Sequence, residues 1–112
     1  MQLSEKKCVP CEGGVPPLGS EQVGEFLREV PGWQVSEDHG TLSKEFRFSH
    51  FAETMRFVNQ MADLAEEQGH HPDFCVHYDR LDVQLSTHAI RGLSENDFIM
   101  AARLSKLAFS RK

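Results

Sequence analysis

Two stretches of alternating apolar and polar residues constrain the fold of this chain more than any other feature of its sequence. The first runs from Trp33 to Phe48, with turn-forming residues from Glu37 to Gly40. The second runs from Phe74 to His88, with a tight turn predicted at Asp79 and Arg80. Strict alternation indicates strands with one buried face, and a short turn inside such a stretch indicates a β-hairpin. The sequence therefore predicts four antiparallel strands in two hairpins.

Amphipathic helices are predicted before and between the hairpins. The first begins at Ser20 as N-cap and ends before Pro31, and the second is capped by Ser49 and ends at about Gly69. Apolar residues recur every three or four positions in both: Val23, Phe26, Leu27 and Val30 in the first, and Phe51, Met55, Val58, Ala62 and Ala65 in the second. This spacing places them on one face of each helix.

A third helix follows the second hairpin. Ser94 and Asp97 have the S-x-x-D form of a capping box at its start. Its apolar residues are Phe98, Met100, Ala101, Leu104 and Leu107. The sequence thus predicts an α+β fold: a four-stranded antiparallel sheet (two hairpins) with three helices packed on one face, in the order α-β-β-α-β-β-α.

The length of 112 residues is enough for one domain and one core. We predict a flexible leader over residues 1–17 and a single domain over residues 18–112. The leader contains Cys8 and Cys11 in a lone C-x-x-C, followed by glycines and prolines. A zinc site needs about four ligands and a redox motif follows a strand, so a mobile arm is the favoured interpretation of this pair.

The net charge of −5 does not indicate a nucleic-acid or anionic-membrane partner, because such partners select a basic patch. The sequence has neither a run of about 18 apolar residues nor the apolar segment of an export signal. Its three cysteines are an odd number, which argues against a disulfide framework. We therefore expect a cytoplasmic protein with no membrane span.

Four of the six histidines fall at positions 70, 71, 77 and 88. His70 and His71 follow the predicted helix end, and Pro72 stiffens this connection and favours an extended His71. Adjacent residues of an extended segment point in opposite directions, so the two rings cannot share one target. Glu66 lies one turn before His70 and is placed to orient its ring. This stretch is predicted to handle protons, a metal ion or both.

A family resemblance emerges from the same stretch. Glu66, the run His70-His71-Pro72, Tyr78, His88 and Asp97 occur in the order and at the spacing found in pterin-4a-carbinolamine dehydratases, also called 4a-hydroxytetrahydrobiopterin dehydratases, and the runs Ser86-Thr87-His88 and Gly92-Leu93-Ser94-Glu95 are similar as well. The resemblance extends more weakly over residues 18–107. The chain departs from the animal members at Gly69, where they have an acidic residue, and at Asn96, where they have a basic one.

The resemblance implies a hydro-lyase that removes water from a 4a-hydroxytetrahydropterin, without metal or other cofactor. It implies that His70 and His88 transfer protons and that His71 binds and orients the substrate. Imidazoles suit this role because their ordinary pKa lies near neutrality. The supporting residues would be Glu66, Pro72, Ser86, Thr87 and Asp97. It also implies a homodimer or homotetramer and a functional link to an aromatic amino acid hydroxylase.

Other interpretations remain open from the sequence. Three histidines could form a metal site with an open position for water. Animal members of the family also act as dimerisation cofactors of a transcription factor, so the chain could be a protein-binding module. Asp97 has a structural account as a helix-capping residue, and Glu66 could be an ordinary solvated helix residue. Tyr78 is expected to pack in its hairpin, and His39, His50 and His77 are expected at the surface.

Overall fold

The fold was taken from a computed structural model that describes residues 2–9 and 16–110. Its helices are α1 (Ser20–Leu27), α2 (Phe51–Gln68) and α3 (Glu95–Ser110), and its strands are β1 (Gln34–Val35), β2 (Leu42–Arg47), β3 (Asp73–His77) and β4 (Arg80–Leu85). Two short 3-10 helices cover Leu3–Glu5 and His88–Ile90. The predicted order α-β-β-α-β-β-α is confirmed.

The four strands form one antiparallel sheet in the order β1-β2-β4-β3. Each predicted hairpin is present, and the two are joined by pairing of β2 with β4, with Leu42 opposite Leu85 and Phe46 opposite Leu81. This register places the apolar residues of both strands on one face. The second face presents the polar partners, such as Glu45 opposite Asp82.

The core lies between the apolar face of the sheet and the helices. Leu81, Val83 and Leu85 of β4 are fully buried. Phe57 of α2 is also fully buried, and its ring centroid lies 5.1 Å from that of Phe46 and 5.3 Å from that of Phe48. These aromatic contacts hold α2 against the first hairpin.

The buried side of α2 is rotated from the predicted one. Val58 and Ala65 are buried as predicted, but Phe51 and Ala62 are exposed. The buried positions of α2 are Thr54, Phe57, Val58, Met61, Ala65 and Gln68. The aromatic cluster around Phe57 decided the orientation of α2, because burying a phenylalanine ring stabilises the fold by more free energy than burying the methyl group of Ala62.

Three element ends differ from the predictions by one residue, and α1 ends earlier than predicted, at Leu27, which leaves Val30 outside the helix. Gly19 is the N-cap of α1 instead of Ser20, and His50 is the N-cap of α2 instead of Ser49; the His50 Nδ1 accepts from the Glu53 N–H at 3.2 Å. The second hairpin turns at Tyr78 and Asp79, one residue earlier than predicted, because Tyr78 adopts a positive φ of 56°. The three shifts of one residue are expected where several polar residues can serve as a cap.

The second hairpin also ends earlier than its alternation suggested. β4 stops at Leu85, and His88 begins a 3-10 helix instead of ending the strand. Phe74 lies on the helix side of β3 but remains 45% exposed, since β3 is at the edge of the sheet. Tyr78 is 65% exposed and stacks on Phe51 at 6.3 Å, so it packs beside α2 and not inside the hairpin.

Residues 2–9 lie on the surface of the helices, in contrast to the flexible leader predicted over residues 1–17. Leu3 is 4% exposed, and the Arg103 guanidinium donates to the Lys6 carbonyl through Nε at 2.8 Å. Cys11, with the rest of residues 10–15, lies outside the described residues. The domain boundary at residue 18 stays a prediction. Among the described helices, none has the length and apolarity to cross a bilayer.

Candidate active site

The candidate site is a cleft of about 240 Å³ where the end of α2, the start of α3 and the loop after β4 meet. Its lining residues are Val9, Gly69, His70, His71, Ser86, Thr87, His88, Ala89 and Asn96. All three predicted catalytic histidines are among them. Asp97 contacts two of these residues, whereas Glu66 and Pro72 are not in the lining.

His70 contacts a buried carboxylate at the cleft. Its Nε2 lies 2.6 Å from Oδ1 of Asp97, and the two side chains are only 11% and 0% exposed. Ion pairs and charge-assisted hydrogen bonds in such surroundings are less screened than those at the surface. The pair is thus a fixed element of the site.

The second oxygen of Asp97 is fully used by the start of α3. Oδ2 accepts from the Ser94 N–H at 3.0 Å and from the Thr87 hydroxyl at 2.7 Å. The Thr87 oxygen lies 2.7 Å from the Ser94 hydroxyl, which donates to it because the Thr87 proton is already given to Asp97. Asp97 therefore has both the structural role and the site contact that the sequence left as alternatives.

These contacts define the tautomer of His70. A carboxylate accepts hydrogen bonds and donates none, so Nε2 of His70 carries the proton that faces Asp97. The lone pair of the neutral ring is then on Nδ1. A ring held in this way can accept a proton at Nδ1, and the adjacent carboxylate stabilises the resulting imidazolium.

The predicted partnership of Glu66 with His70 is wrong. Glu66 Oε2 instead lies 2.5 Å from Nε2 of His71, and the two side chains are 77% and 60% exposed. An exposed pair of this kind contributes little to stability. His70 and His71 thus have different partners, as expected for adjacent residues in an extended connection.

The end of α2 determines where the two rings lie. Gly69 ends the helix in the left-handed conformation, with φ of 66°, and both its N–H and the His70 N–H donate to the Ala65 carbonyl. This conformation favours glycine because it lacks a Cβ. The chain therefore leaves the helix sharply, and His70 turns back towards the start of α3.

The loop after β4 brings His88 to the cleft. Thr87 and Gly92 exchange backbone hydrogen bonds, with the Thr87 N–H 2.9 Å from the Gly92 carbonyl, and this closes a short loop around His88. A Cβ at Gly92 would lie 2.6 Å from Pro17 Cβ, so glycine is needed for this close approach. His88 is exposed at the rim of the cleft.

Four cleft residues were not predicted as site residues: Val9, Gly69, Ala89 and Asn96. Asn96 was noted only as a departure from the animal members, and its place beside Asp97 in the first turn of α3 could have indicated it. Val9 had no sequence pattern to reveal it, because it lies in the predicted leader. Its position follows only from how residues 2–9 pack.

The three histidines do not come together as metal ligands. Within residues 2–9 and 16–110, no group of three or more histidine, cysteine or acidic side chains is arranged to hold a metal ion. The arrangement in the cleft is instead one buried His–Asp pair, a second histidine paired with an exposed glutamate and a third histidine at the rim. It is suited to moving protons on a small molecule.

Fold and cleft together define an α+β protein with a cleft lined by three histidines, one of which contacts a buried aspartate. The family model described as pterin 4 alpha carbinolamine dehydratase matches residues 16–107. A relative from Rubrobacter xylanophilus, provisionally named pterin-4-alpha-carbinolamine dehydratase, is 48% identical over 95% of this chain and 98% of its own length. One of the same name from Stenotrophomonas maltophilia is 49% identical over 94% and 90%. The chain belongs to the pterin-4a-carbinolamine dehydratase family.

Two solved structures are similar to the whole fold. A transcriptional coactivator/pterin dehydratase from Brucella melitensis has a TM-score of 0.79 and 34% identity, covering 82% of this chain and 98% of that one. A pterin dehydratase-like protein described as a RuBisCO assembly factor of the alpha-carboxysome has a TM-score of 0.60 and 28% identity, covering 69% and 89%. The fold thus occurs in proteins that are described with different roles.

Proposed function

We propose that this protein dehydrates a 4a-hydroxytetrahydropterin to the quinonoid dihydropterin. In this reaction the carbon–oxygen bond at C4a breaks, the hydroxyl leaves as water with an added proton, and the adjacent ring nitrogen loses its proton to form a carbon–nitrogen double bond. The reaction needs one proton acceptor and one proton donor. Membership of the dehydratase family and the buried His70–Asp97 pair in the cleft support this proposal.

His70 is the proposed proton acceptor. Asp97 holds its Nε2–H, so the ring would accept the proton of the pterin nitrogen at Nδ1, and the carboxylate would stabilise the imidazolium. His88, at the rim of the cleft, is the proposed donor to the departing hydroxyl. Imidazole is the side chain whose ordinary pKa lies nearest neutrality, which suits a donor and an acceptor of protons.

The remaining cleft residues would bind the substrate. His71 is proposed to orient the pterin, with Glu66 holding its ring. Ser86 supplies a hydroxyl group at the cleft wall, and Thr87 supports the site by donating to Asp97. Pro72 restricts the connection that leads away from His71. A cleft of about 240 Å³ is smaller than the usual ligand pocket of roughly 300 Å³ or more, so part of the substrate would remain outside it.

Alanine substitutions test these roles. His70→Ala and His88→Ala should each lower kcat by about 100-fold or more, the usual size of a general acid–base contribution, while His71→Ala should act more on KM. The measurement is steady-state dehydration of the synthetic carbinolamine. His77→Ala is the matched control, since His77 is an exposed residue of β3 whose nearest carboxylate is Asp82 at 3.6 Å.

Two outcomes would contradict the proposal. Wild-type rates in the His70→Ala and His88→Ala variants would remove the acid–base assignment. Activity that vanishes on exhaustive chelation and returns with added zinc would favour the three-histidine metal site, because a zinc-bound water is lost with its metal. Chelator-resistant activity that is lost in the double variant supports the proposal.

The wider setting is also proposed. We place the protein in the cytoplasm, as a homodimer or homotetramer, recycling pterin for an aromatic amino acid hydroxylase. A second candidate function is binding of another protein. The coactivator and assembly-factor roles given for the two similar structures favour it, and so does the exposed Phe51–Tyr78 ring pair. The test is whether the His70→Ala, His88→Ala double variant restores growth or function to cells that lack the protein. Failure to restore it would favour the enzyme, and full restoration would favour the binding role.

A further inference from the structure

The N-terminal arm, defined as residues 2–9, reaches the candidate active site. It begins with Leu3 buried among the core residues and ends with Val9 in the wall of the cleft beside His70 and His88. The arm connects two places that are far apart in sequence, α3 and the end of α2. None of the roles proposed above uses it.

The end of the arm is held by two amide side chains. Asn96 binds both backbone groups of Val9: its Oδ1 accepts from the Val9 N–H at 3.0 Å and its Nδ2 donates to the Val9 carbonyl at 2.6 Å. Gln68 Oε1 accepts from the Cys8 N–H at 2.8 Å. Asn96 and Gln68 are 5% and 9% exposed, so these hydrogen bonds are shielded from water.

The middle of the arm is held by charged groups of α3. The Arg103 guanidinium donates twice to the Lys6 carbonyl, through Nε at 2.8 Å and through its terminal nitrogen at 2.5 Å. Lys6 itself forms an ion pair with Glu95 at 2.5 Å. Five hydrogen bonds therefore hold backbone groups of three residues at the end of the arm: Lys6, Cys8 and Val9.

Val9 offers the largest aliphatic side chain of the cleft lining. Its side chain is 66% exposed, although its backbone is held by Asn96. The cleft lining otherwise consists of three histidines, two hydroxyl side chains, Asn96, Ala89 and Gly69. A flat heteroaromatic ring loses water from its faces when it binds, which favours an apolar side chain at the cleft wall.

We propose that the N-terminal arm is a substrate-binding wall of the active site, positioned by Asn96 and Gln68, and that Val9 packs against the bound pterin. This inference rests on the proposed function and adds to it a determinant of substrate affinity. The arm makes no proton-transfer contact, so it affects binding and not the chemical step. Gln68 is a positioning residue, because it acts through the backbone of Cys8.

The burial of Cys8 supplies a reporter of arm position that does not depend on activity. Burial raises the pKa of the Cys8 thiol to about 11, against the opposing effect of Arg103, and the thiol donates to the Asn96 carbonyl at 3.6 Å. Thiolates are the reactive form, so a docked Cys8 is alkylated slowly and a released one faster. The Cys11→Ser, Cys75→Ser background leaves Cys8 as the single reporter.

Gln68→Ala is the central variant, since Gln68 holds the arm but is not in the cleft lining. Loss of the acceptor for the Cys8 N–H should lower the equilibrium constant for docking of the arm by about tenfold. The alkylation rate of Cys8 should rise by the same factor. KM for the carbinolamine should rise by about fivefold or more, the affinity equivalent of partly burying one valine side chain. kcat should stay within about twofold, with an unchanged pH profile.

Three further variants define the source of the effect. Asn96→Ala should reproduce the rise in KM. Val9→Ala should raise KM without changing Cys8 alkylation, because it shortens the side chain and leaves the backbone contacts of the arm in place. Val9→Ile should restore wild-type KM. Asn59→Ala is the matched control, an amide residue at an exposed position of α2 for which neither quantity should change.

Each remaining outcome counts against the proposal. Gln68→Ala could speed the alkylation of Cys8 and still keep KM within about twofold of wild type. That result would show that release of the arm does not affect substrate binding. Unchanged alkylation shows that Gln68 does not hold the arm, and a fall in kcat shows an effect on the histidines instead. If the wild-type protein does not dehydrate the carbinolamine, the proposed function is wrong, but the arm proposal can still be tested by binding. In that test 7,8-dihydrobiopterin should protect Cys8 from alkylation, and a lack of protection would overturn the arm proposal.

Discussion

Asp97 combines tasks that are usually divided among several residues. One oxygen faces His70, and the other accepts from Ser94 and Thr87 at the start of α3. The carboxylate is fully buried, so each of these donors offsets part of its cost of desolvation. A single side chain thus joins the stability of a helix start to the tautomer of a proposed catalytic base.

Asp97→Asn should separate these two tasks. An amide can keep its oxygen towards Ser94 and Thr87, but it then presents its NH2 to His70 and reverses the tautomer of the ring. We expect kcat to fall by about 10² to 10⁴, as when a comparable catalytic aspartate is replaced, with the fold retained. The measurement is kcat together with urea unfolding.

Asp97→Ala should behave differently. It leaves the Ser94 N–H and the Thr87 hydroxyl without their acceptor and should lower the free energy of unfolding by about 1–3 kcal/mol. Asp63→Asn, at an exposed position of α2, is the control for the amide substitution. Full activity in Asp97→Asn would contradict the proposed role of the His70–Asp97 pair.

Cys8 should make the docking of the N-terminal arm sensitive to alkaline pH. Burial raises the pKa of its thiol from 9.0 to about 11, so the docked state favours the protonated form. The contribution of this thiol to the free energy of docking is fully present below pH 9. It is lost as the pH rises towards 11, because the undocked thiol ionises at a lower pH than the docked one. Proteolytic cleavage of the arm should therefore increase over this range.

Comparison with Cys8→Ala isolates this thiol from the lysines and the tyrosine that titrate in the same range. The difference between the two proteins in arm cleavage should be constant below pH 9 and should grow above it. Parallel profiles for the two proteins at every pH would show that the arm does not bury this thiol in solution.

At the scale of elements, the end of α2 is the feature that positions two of the three histidines. Gly69→Ala should lower the free energy of unfolding by about 1 kcal/mol, because its φ of 66° is unfavourable for any residue with a Cβ. It should also reduce kcat, since His70 follows directly. Chemical unfolding and the dehydration assay measure the two effects.

Gly24→Ala is the matched control for this substitution. Gly24 lies inside α1, and a Cβ there meets no atom within 4 Å. Alanine should therefore stabilise the protein by about 0.5–1 kcal/mol through its higher helix propensity, with unchanged kinetics. Equal effects of the two substitutions would show that the left-handed conformation at Gly69 has no energetic consequence.

At the scale of the whole molecule, the apolar surface that remains exposed predicts self-association. Phe51 is 48% exposed and Phe74, on the edge strand β3, is 45% exposed. Edge strands and uncovered apolar residues are commonly buried between subunits. We expect a homodimer or homotetramer, measured by light scattering at micromolar concentration.

Substitutions on this surface should weaken the assembly. Phe51→Asp should shift the protein towards the 12.7 kDa monomer, because it places a charge among the exposed apolar residues. Lys7→Asp is the control for an added acidic residue elsewhere on the surface. A wild-type protein that is monomeric throughout would contradict the prediction.

The sequence by itself determined the number and order of the strands and α-helices, but it did not indicate the two 3-10 helices. Alternation in two stretches gave the hairpins, the three-and-four spacing gave the helices, and Gly69 marked the end of α2. These patterns depend on contacts between residues close in the chain, so they are readable without the fold. The family resemblance likewise depended on the order and spacing of residues.

The tertiary structure alone decided which of these residues pair. His70 follows Glu66 by four residues in the sequence but pairs with Asp97, 27 residues later, because Gly69 ends α2 and turns the chain towards the start of α3. The same packing placed Val9 at the cleft, although it is 87 residues from Asn96. Periodicity shows which face of an element is apolar, but the neighbour of a polar side chain depends on how separate elements meet. For the cleft, the meeting of α2, α3 and the N-terminal arm makes that choice.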